Sequence, residues 1–123
     1  MRNDLDALEQ RTKFFAITVI RFCLSLSMGT VIRFVGDQLA RAAGSVAANH
    51  RAMRRSRSSR EFAAKLQIVN EEIDESVLWL EIVDELLPHL RPQLKPVVAE
   101  GIELRSIFAK ARSTTRQRLS REQ

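Results

Sequence analysis

One stretch limits what this chain can fold into more than any other. Phe62, Leu66, Val69, Ile73, Val77, Leu80, Val83 and Leu87 recur at steps of four and three residues. That step returns each side chain to one face of an α-helix, and over seven turns it excludes a strand. The stretch also carries its own start and stop. Ser58-Ser59-Arg60-Glu61 fits a capping box, in which the Ser58 hydroxyl accepts from the residue-61 N–H and Glu61 returns to the Ser58 N–H. Pro88 lacks an N–H and disfavours helix at Leu87. A helix over 59–87 with one apolar stripe must be covered by other elements.

Three further segments can cover it. A helix from Asp4 to Ser27 places Leu5, Leu8, Phe15, Val19, Phe22 and Leu26 on one face, widened by Phe14, Ile17, Ile20 and Cys23. Ser27-Met28-Gly29-Thr30 is its break: Gly29 suits a left-handed helix end and Thr30 an N-cap. A second helix, over 31–55, carries the stripe Val31, Val35, Leu39, Ala43, Val46, His50 and Met53. Its middle is rich in alanine and contains Gly44, which costs a helix about 1 kcal/mol relative to alanine, so a packing reason is expected there. Pro88, Pro92 and Pro96 mark the last connection, and a fourth helix runs over 94–119, with the tail from Ser120 expected to fray.

Connections this short force neighbouring helices to run antiparallel. The expected fold is therefore all-α, an antiparallel up-down-up-down four-helix bundle spanning residues 1–123 as a single domain. The chain contains only 4 Gly, 3 Pro and no Tyr, and at 45% hydrophobic and 28% charged residues it has the composition of a globular protein.

Phe14 to Gly36 is apolar enough to require a membrane test. Arg21 and Arg33 interrupt it, and its uncharged runs, Phe14–Ile20 and Phe22–Ile32, are only seven and eleven residues long, against about 20 needed to span a bilayer. The expectation is a cytoplasmic protein without a membrane segment. Cys23, the single cysteine, cannot form an internal disulfide and sits among Phe22, Leu24 and Leu26 as a small hydrophobe.

Charge is segregated along the chain. Residues 31–60 carry 7 basic and 1 acidic side chains, residues 61–90 carry 1 and 8, and residues 91–123 carry 8 and 3. Basic and acidic helices complement each other within a bundle or between subunits, but that does not account for local density. Arg51, Arg54, Arg55, Arg57 and Arg60 fall within ten residues, and Arg112, Arg116 and Arg118 close the fourth helix. In an up-down bundle the second and fourth helices end at the same pole, which brings both clusters together. Arginine suits bidentate phosphate contacts. The same residues also complement helix dipoles, or serve a subunit interface.

Catalytic and metal chemistry find little support. Neither His50 nor His89 stands in a Glu-x-x-His pair of the di-iron bundle type. No cofactor motif is present, and neither enzyme nor cofactor is expected. Glu71 and Glu75 share a helix face, and a network of Asn49, Glu71 and Glu75 that fixes helix register is the expected role; an acid–base pair is the sharper alternative. Trp79, with Leu78 and Ile82, gives the third helix a second apolar side. More apolar surface than one bundle can bury implies self-association.

Asn49-His50-Arg51-Ala52, Ser56-Arg57-Ser58, Glu61-Phe62-Ala63-Ala64-Lys65-Leu66 and Glu71-Glu72-Ile73-Asp74-Glu75-Ser76-Val77-Leu78-Trp79-Leu80-Glu81 together resemble the central signature of the bacterial four-helix-bundle proteins encoded in 23S rRNA intervening sequences. Arg11-Thr12-Lys13-Phe14-Phe15-Ala16 and the run Gln38–Asn49 resemble that family's first two helices, so the likeness covers residues 9–110. His50 stands where the family commonly has tyrosine, and Met53-Arg54-Arg55 is more basic than usual. The resemblance implies a homo-oligomeric ring, often a pentamer, with no established enzymatic activity. A related bundle, the accessory variability determinant of diversity-generating retroelements, forms a similar ring and binds a reverse transcriptase and nucleic acid.

The functional expectation is a non-enzymatic homo-oligomer that contacts RNA or DNA phosphates through Arg51, Arg54, Arg55, Arg57, Arg60, Arg112, Arg116 and Arg118. The alternative is a structural or protein-interaction module with a protein partner and no nucleic-acid binding.

Overall fold

The computed structural model describes residues 2–26 and 29–122. Its elements are α1 (Arg2–Leu24), α2 (Thr30–Arg54), α3 (Ser59–Leu86), one turn of 3-10 helix (Pro88–Leu90) and α4 (Arg91–Glu122). Each helix packs beside its neighbour in sequence, and α1 meets α4 to close the bundle. Side-chain pairs show the antiparallel sense. Asp6 and Glu9 of α1 reach Arg54 near the end of α2, Arg41 of α2 reaches Glu72 and Glu75 of α3, and Asp74 of α3 reaches Arg105 of α4. The fold is the expected four-helix bundle.

The core is filled by the stripes the periodicity predicts. Phe15, Val19 and Phe22 of α1, Leu39 and Val46 of α2, Leu66, Ile73 and Leu80 of α3, and Leu94, Leu104 and Phe108 of α4 are buried. α4 also presents Gly101 to this core. A Cβ there would lie 3.1 Å from Val77 Cγ2 and 3.4 Å from the Phe15 ring, so the missing side chain is what lets α4 approach α1 and α3.

Several expectations need correction. α1 ends at Leu24, three residues before Ser27, which with Met28 lies outside the described residues. Gly29 does adopt the left-handed region (φ +56°), but as the residue preceding α2, and Thr30 is helical and makes no side-chain cap. At α3 the Ser58 hydroxyl accepts from the Glu61 N–H at 3.0 Å, which is half of the capping box; the return bond from Glu61 is not formed. α4 begins at Arg91 and runs to Glu122, so Ser120 to Glu122 are helical rather than frayed. Pro92 falls in its first turn, and Pro96 lies inside it.

Of the widened face of α1, only Cys23 packs against the core, half-buried; Phe14 is 65% exposed and Ile17 and Ile20 are near 40% and 38%, and the neighbouring Leu24 is 82% exposed. Leu5 and Val31, placed in the stripes by spacing, are exposed too, because both lie near helix ends where no neighbour covers them. Gly44 has nothing within 4 Å of where a Cβ would stand, so within one chain the expected packing reason is missing. Among the described residues no helix is long and apolar enough to cross a membrane.

Candidate nucleic-acid interface

The α2–α3 connection and the C-terminal turns of α4 lie at one pole of the bundle, beside the start of α1, as the alternating helix directions require. The arginines predicted to share this pole fall into two groups. Arg54 donates from Nη1 to Glu9 Oε1 and from Nη2 to Asp6 Oδ1, both at 2.9 Å, and Arg51 Nε lies 3.6 Å from Glu9 Oε2. Hydrogen bonding to Asp6, and then to Glu9, raises the Arg54 pKa and holds it charged. Both arginines stand in or near the last turn of α2, where the helix dipole favours cations. They fasten α2 to α1.

The second group is free of that duty. Arg55, Arg57, Arg60, Arg116 and Arg118 are exposed, and among the described residues none of them makes an ion pair. Arg112 is intermediate: it is half-buried in a hollow of about 270 Å³ that it shares with Asn70, Glu71, Asp74 and Arg105. Among the described residues it makes no ion pair either, since Asp74 in that hollow pairs with Arg105. Glu61 and Glu122 are the acidic side chains near the free arginines along the chain. The five free arginines supply planar, fixed-charge donors along an open surface, which is suited to phosphate oxygens.

A buried polar contact braces this pole from beneath. Thr12 and His50 are 0% and 1% exposed, and Thr12 Oγ1 lies 2.9 Å from His50 Nδ1. The single Thr12 hydroxyl hydrogen goes to the Glu9 carbonyl at 3.0 Å, so the imidazole donates from Nδ1 to Oγ1. The His50 ring meets Phe108 of α4 edge-on, with centroids 5.0 Å apart. α1, α2 and α4 are thereby tied together one turn below Arg54. Spacing alone did not single out Thr12, although it bridges the seven-residue gap between Leu8 and Phe15 in the α1 stripe.

The register network differs from expectation. Asn49 donates within its own helix, to the Ser45 carbonyl at 2.9 Å and to the Ser45 hydroxyl at 3.0 Å. Glu71 is exposed and accepts from Gln67. Of the three expected residues, Glu75 alone takes part in a bridge between α2 and α3: it accepts from Arg41 and from Trp79 Nε1, and Glu72 beside it also accepts from Arg41, at 3.0 Å. Trp79 in turn meets Phe34 edge-on at 6.2 Å. Arg41, two turns before Asn49, is long enough to cross the interhelical seam, whereas Asn49 finds its partners one turn back. Glu71 and Glu75 therefore do not converge on one cavity.

A hollow of about 600 Å³ lies between the end of α3 and the start of α4 at the other pole, with Glu81, Glu85, Arg91 and Lys95 around Val98 and Ile102. Among the described residues no three His, Cys, Asp or Glu side chains gather in a group able to hold a metal ion.

No family model and no curated protein matches the chain. A solved structure does resemble it: a protein of unknown function from the S23 ribosomal protein family of Bacteroides thetaiotaomicron, with a TM-score of 0.74 and 21% identity over 85% of this chain and 97% of that one. The likeness is one of fold.

Proposed function

We propose that this chain is a non-enzymatic, self-associating four-helix bundle that holds RNA or DNA phosphates against its arginine pole. One observation carries the reading: Arg55, Arg57, Arg60, Arg116 and Arg118 lie at one pole, exposed and, among the described residues, without carboxylate partners, while Arg51 and Arg54 are taken up by Glu9 and Asp6 of α1. The description of the structural neighbour as a ribosomal-family protein accords with RNA as the polyanion. So does the likeness to bundles encoded in ribosomal RNA intervening sequences.

The contacts fall on the backbone. Few aromatic side chains accompany the arginines, so stacking on unpaired bases is not part of the mechanism. Binding should show little sequence preference and weaken steeply with salt as condensed counterions are released. Self-association, in a ring such as a pentamer, would multiply the number of arginine poles presented to one nucleic acid.

Filter binding of structured RNA tests the reading. Wild type retains RNA at low salt, and the triple variant Arg55→Glu, Arg57→Glu, Arg60→Glu loses at least about tenfold in affinity, as expected when several phosphate contacts are reversed in charge. Equal retention by both proteins would refute it. A second reading, in which the same arginines hold subunits together, predicts that the triple variant dissociates instead, which light scattering would register.

A further inference from the structure

The hollow of about 600 Å³ between the end of α3 and the start of α4 interrupts the pattern of that seam. On either side of it, facing charges meet. Asp74 pairs with Arg105 at 3.1 Å. Arg91 closes one end of the hollow, donating from Nε to both carboxylate oxygens of Asp84, at 3.0 and 3.1 Å, and from Nη2 to the Asp84 carbonyl at 3.3 Å. Within the hollow the charges stay apart. Glu81 and Glu85 stand on its α3 wall and Lys95 on its α4 wall. All three are exposed, and among the described residues none of them makes an ion pair.

Between the two walls the floor is apolar. Val98 is half-buried against the core, and Ile102 is 40% exposed. The Asp84–Arg91 and Asp74–Arg105 pairs set the register of the two antiparallel helices. In that register Lys95 falls level with the turn between Glu81 and Glu85. Ile102 lies seven residues further along α4, past the level of Glu81 and about 10 Å from Lys95 at ~1.5 Å per residue. The hollow therefore has two unlike ends. One presents two carboxylates opposite an ammonium, and the other is apolar. Its volume falls within the range of about 300–1,000 Å³ usual for small-molecule sites, which combine apolar walls with a few placed polar groups.

We infer that this hollow binds a small zwitterion with an apolar body, of the apolar α-amino acid class. The ligand ammonium donates to Glu81 and Glu85, Lys95 donates to the ligand carboxylate, and the apolar side chain lies along Val98 towards Ile102. A simple amine leaves Lys95 without a partner, and a simple carboxylate leaves the two glutamates without one, so each binds less well than a molecule carrying both charges. Arg91, held by Asp84, shapes the wall and is not a ligand partner. The site lies at the pole opposite the free arginines and is independent of phosphate binding there.

Amide chemical shifts of Val98 and Ile102 in the full chain test it. The probes are L-phenylalanine, phenethylamine, which lacks the carboxylate, and 3-phenylpropanoate, which lacks the ammonium. In wild type, L-phenylalanine should give saturable shifts at both amides and bind about tenfold tighter than either analogue, as expected for the loss of one charged hydrogen-bonding group. Lys95→Gln should bind L-phenylalanine and phenethylamine equally. The double variant Glu81→Gln, Glu85→Gln should bind L-phenylalanine and 3-phenylpropanoate equally. The three side chains lie outside the ion pairs of the bundle, so both variants should melt as wild type does. Shifts that do not saturate, equal affinity of wild type for all three probes, or variants that keep the wild-type preferences would each overturn the inference.

Discussion

His50 donates from Nδ1 to the hydroxyl of Thr12 across the α1–α2 seam at 2.9 Å, with both side chains sealed from solvent. Burial, opposed by Glu9 and reinforced by Arg54, lowers the imidazole pKa from 6.5 to about 4. Below pH 6.5 the unfolded chain takes up a proton that the folded chain refuses. Stability from this group is therefore complete above about pH 6.5 and is lost as pH falls towards 4. The loss amounts to roughly 3 kcal/mol at most, since each tenfold difference in proton affinity between the folded and unfolded chain is worth about 1.36 kcal/mol. Urea unfolding at pH 7 and pH 5 should show a steeper loss for wild type than for His50→Gln, in which carboxylate contributions remain and the imidazole is gone. Equal slopes would contradict the neutral, buried assignment.

Gly101 should not tolerate a branched side chain. Its Cβ position is already 3.1 Å from Val77 and 3.4 Å from Phe15, so Gly101→Val forces α4 away from both. Overpacking of this kind costs about 1–3 kcal/mol. A melting temperature unchanged from wild type would show that α4 has more freedom than the geometry allows.

Arg11 ties α1 to α4 by a bidentate pair with Glu100, at 2.7 and 3.1 Å, and by a second contact with Glu103 at 3.1 Å. The groups are about one-third to two-thirds exposed, and solvent screening limits the worth of the cluster. Arg11→Ala should cost about 1 kcal/mol in chemical unfolding. Arg11→Lys should recover only part of this, because an ammonium cannot span both carboxylate oxygens as a guanidinium does.

The two arginine groups should separate by readout. Arg54→Ala removes the partner of Asp6 and Glu9 and should lower stability, with a smaller effect on RNA retention. Arg57→Ala removes an exposed side chain outside the ion pairs of the bundle and should leave the melting temperature unchanged while weakening RNA binding. A loss of stability in both variants, with neither affecting RNA, would move Arg57 into the structural group.

The bundle was legible because it rests on local pattern. The stripe Phe62 to Val83, the Ser58 cap and the Pro88 stop all act within one helix, and all hold in the structure, apart from the return half of the capping box. What depends on side-chain reach across helices was less legible. Asn49 and Arg41 both lie on α2 within reach of the α3 side, and spacing alone cannot tell which crosses to Glu75; the longer guanidinium does. Thr12 was hidden because a threonine in an apolar stripe looks like a solvated exception until His50 is seen opposite it. The arginine pole was legible as a cluster, but not its division into bound and free members. That division depends on Asp6 and Glu9, more than forty positions away along the chain.

Phosphate binding at the arginine pole stands or falls on the salt dependence of RNA affinity, measured for wild type and for the Arg55→Glu, Arg57→Glu, Arg60→Glu variant. Each phosphate neutralised contributes about 0.7–0.9 to the slope of log affinity against log salt. Wild type should give a steep slope that becomes shallower by roughly two to three in the variant, with the fold intact by circular dichroism. A flat wild-type slope, or the same slope in both proteins, would refute phosphate binding at this pole.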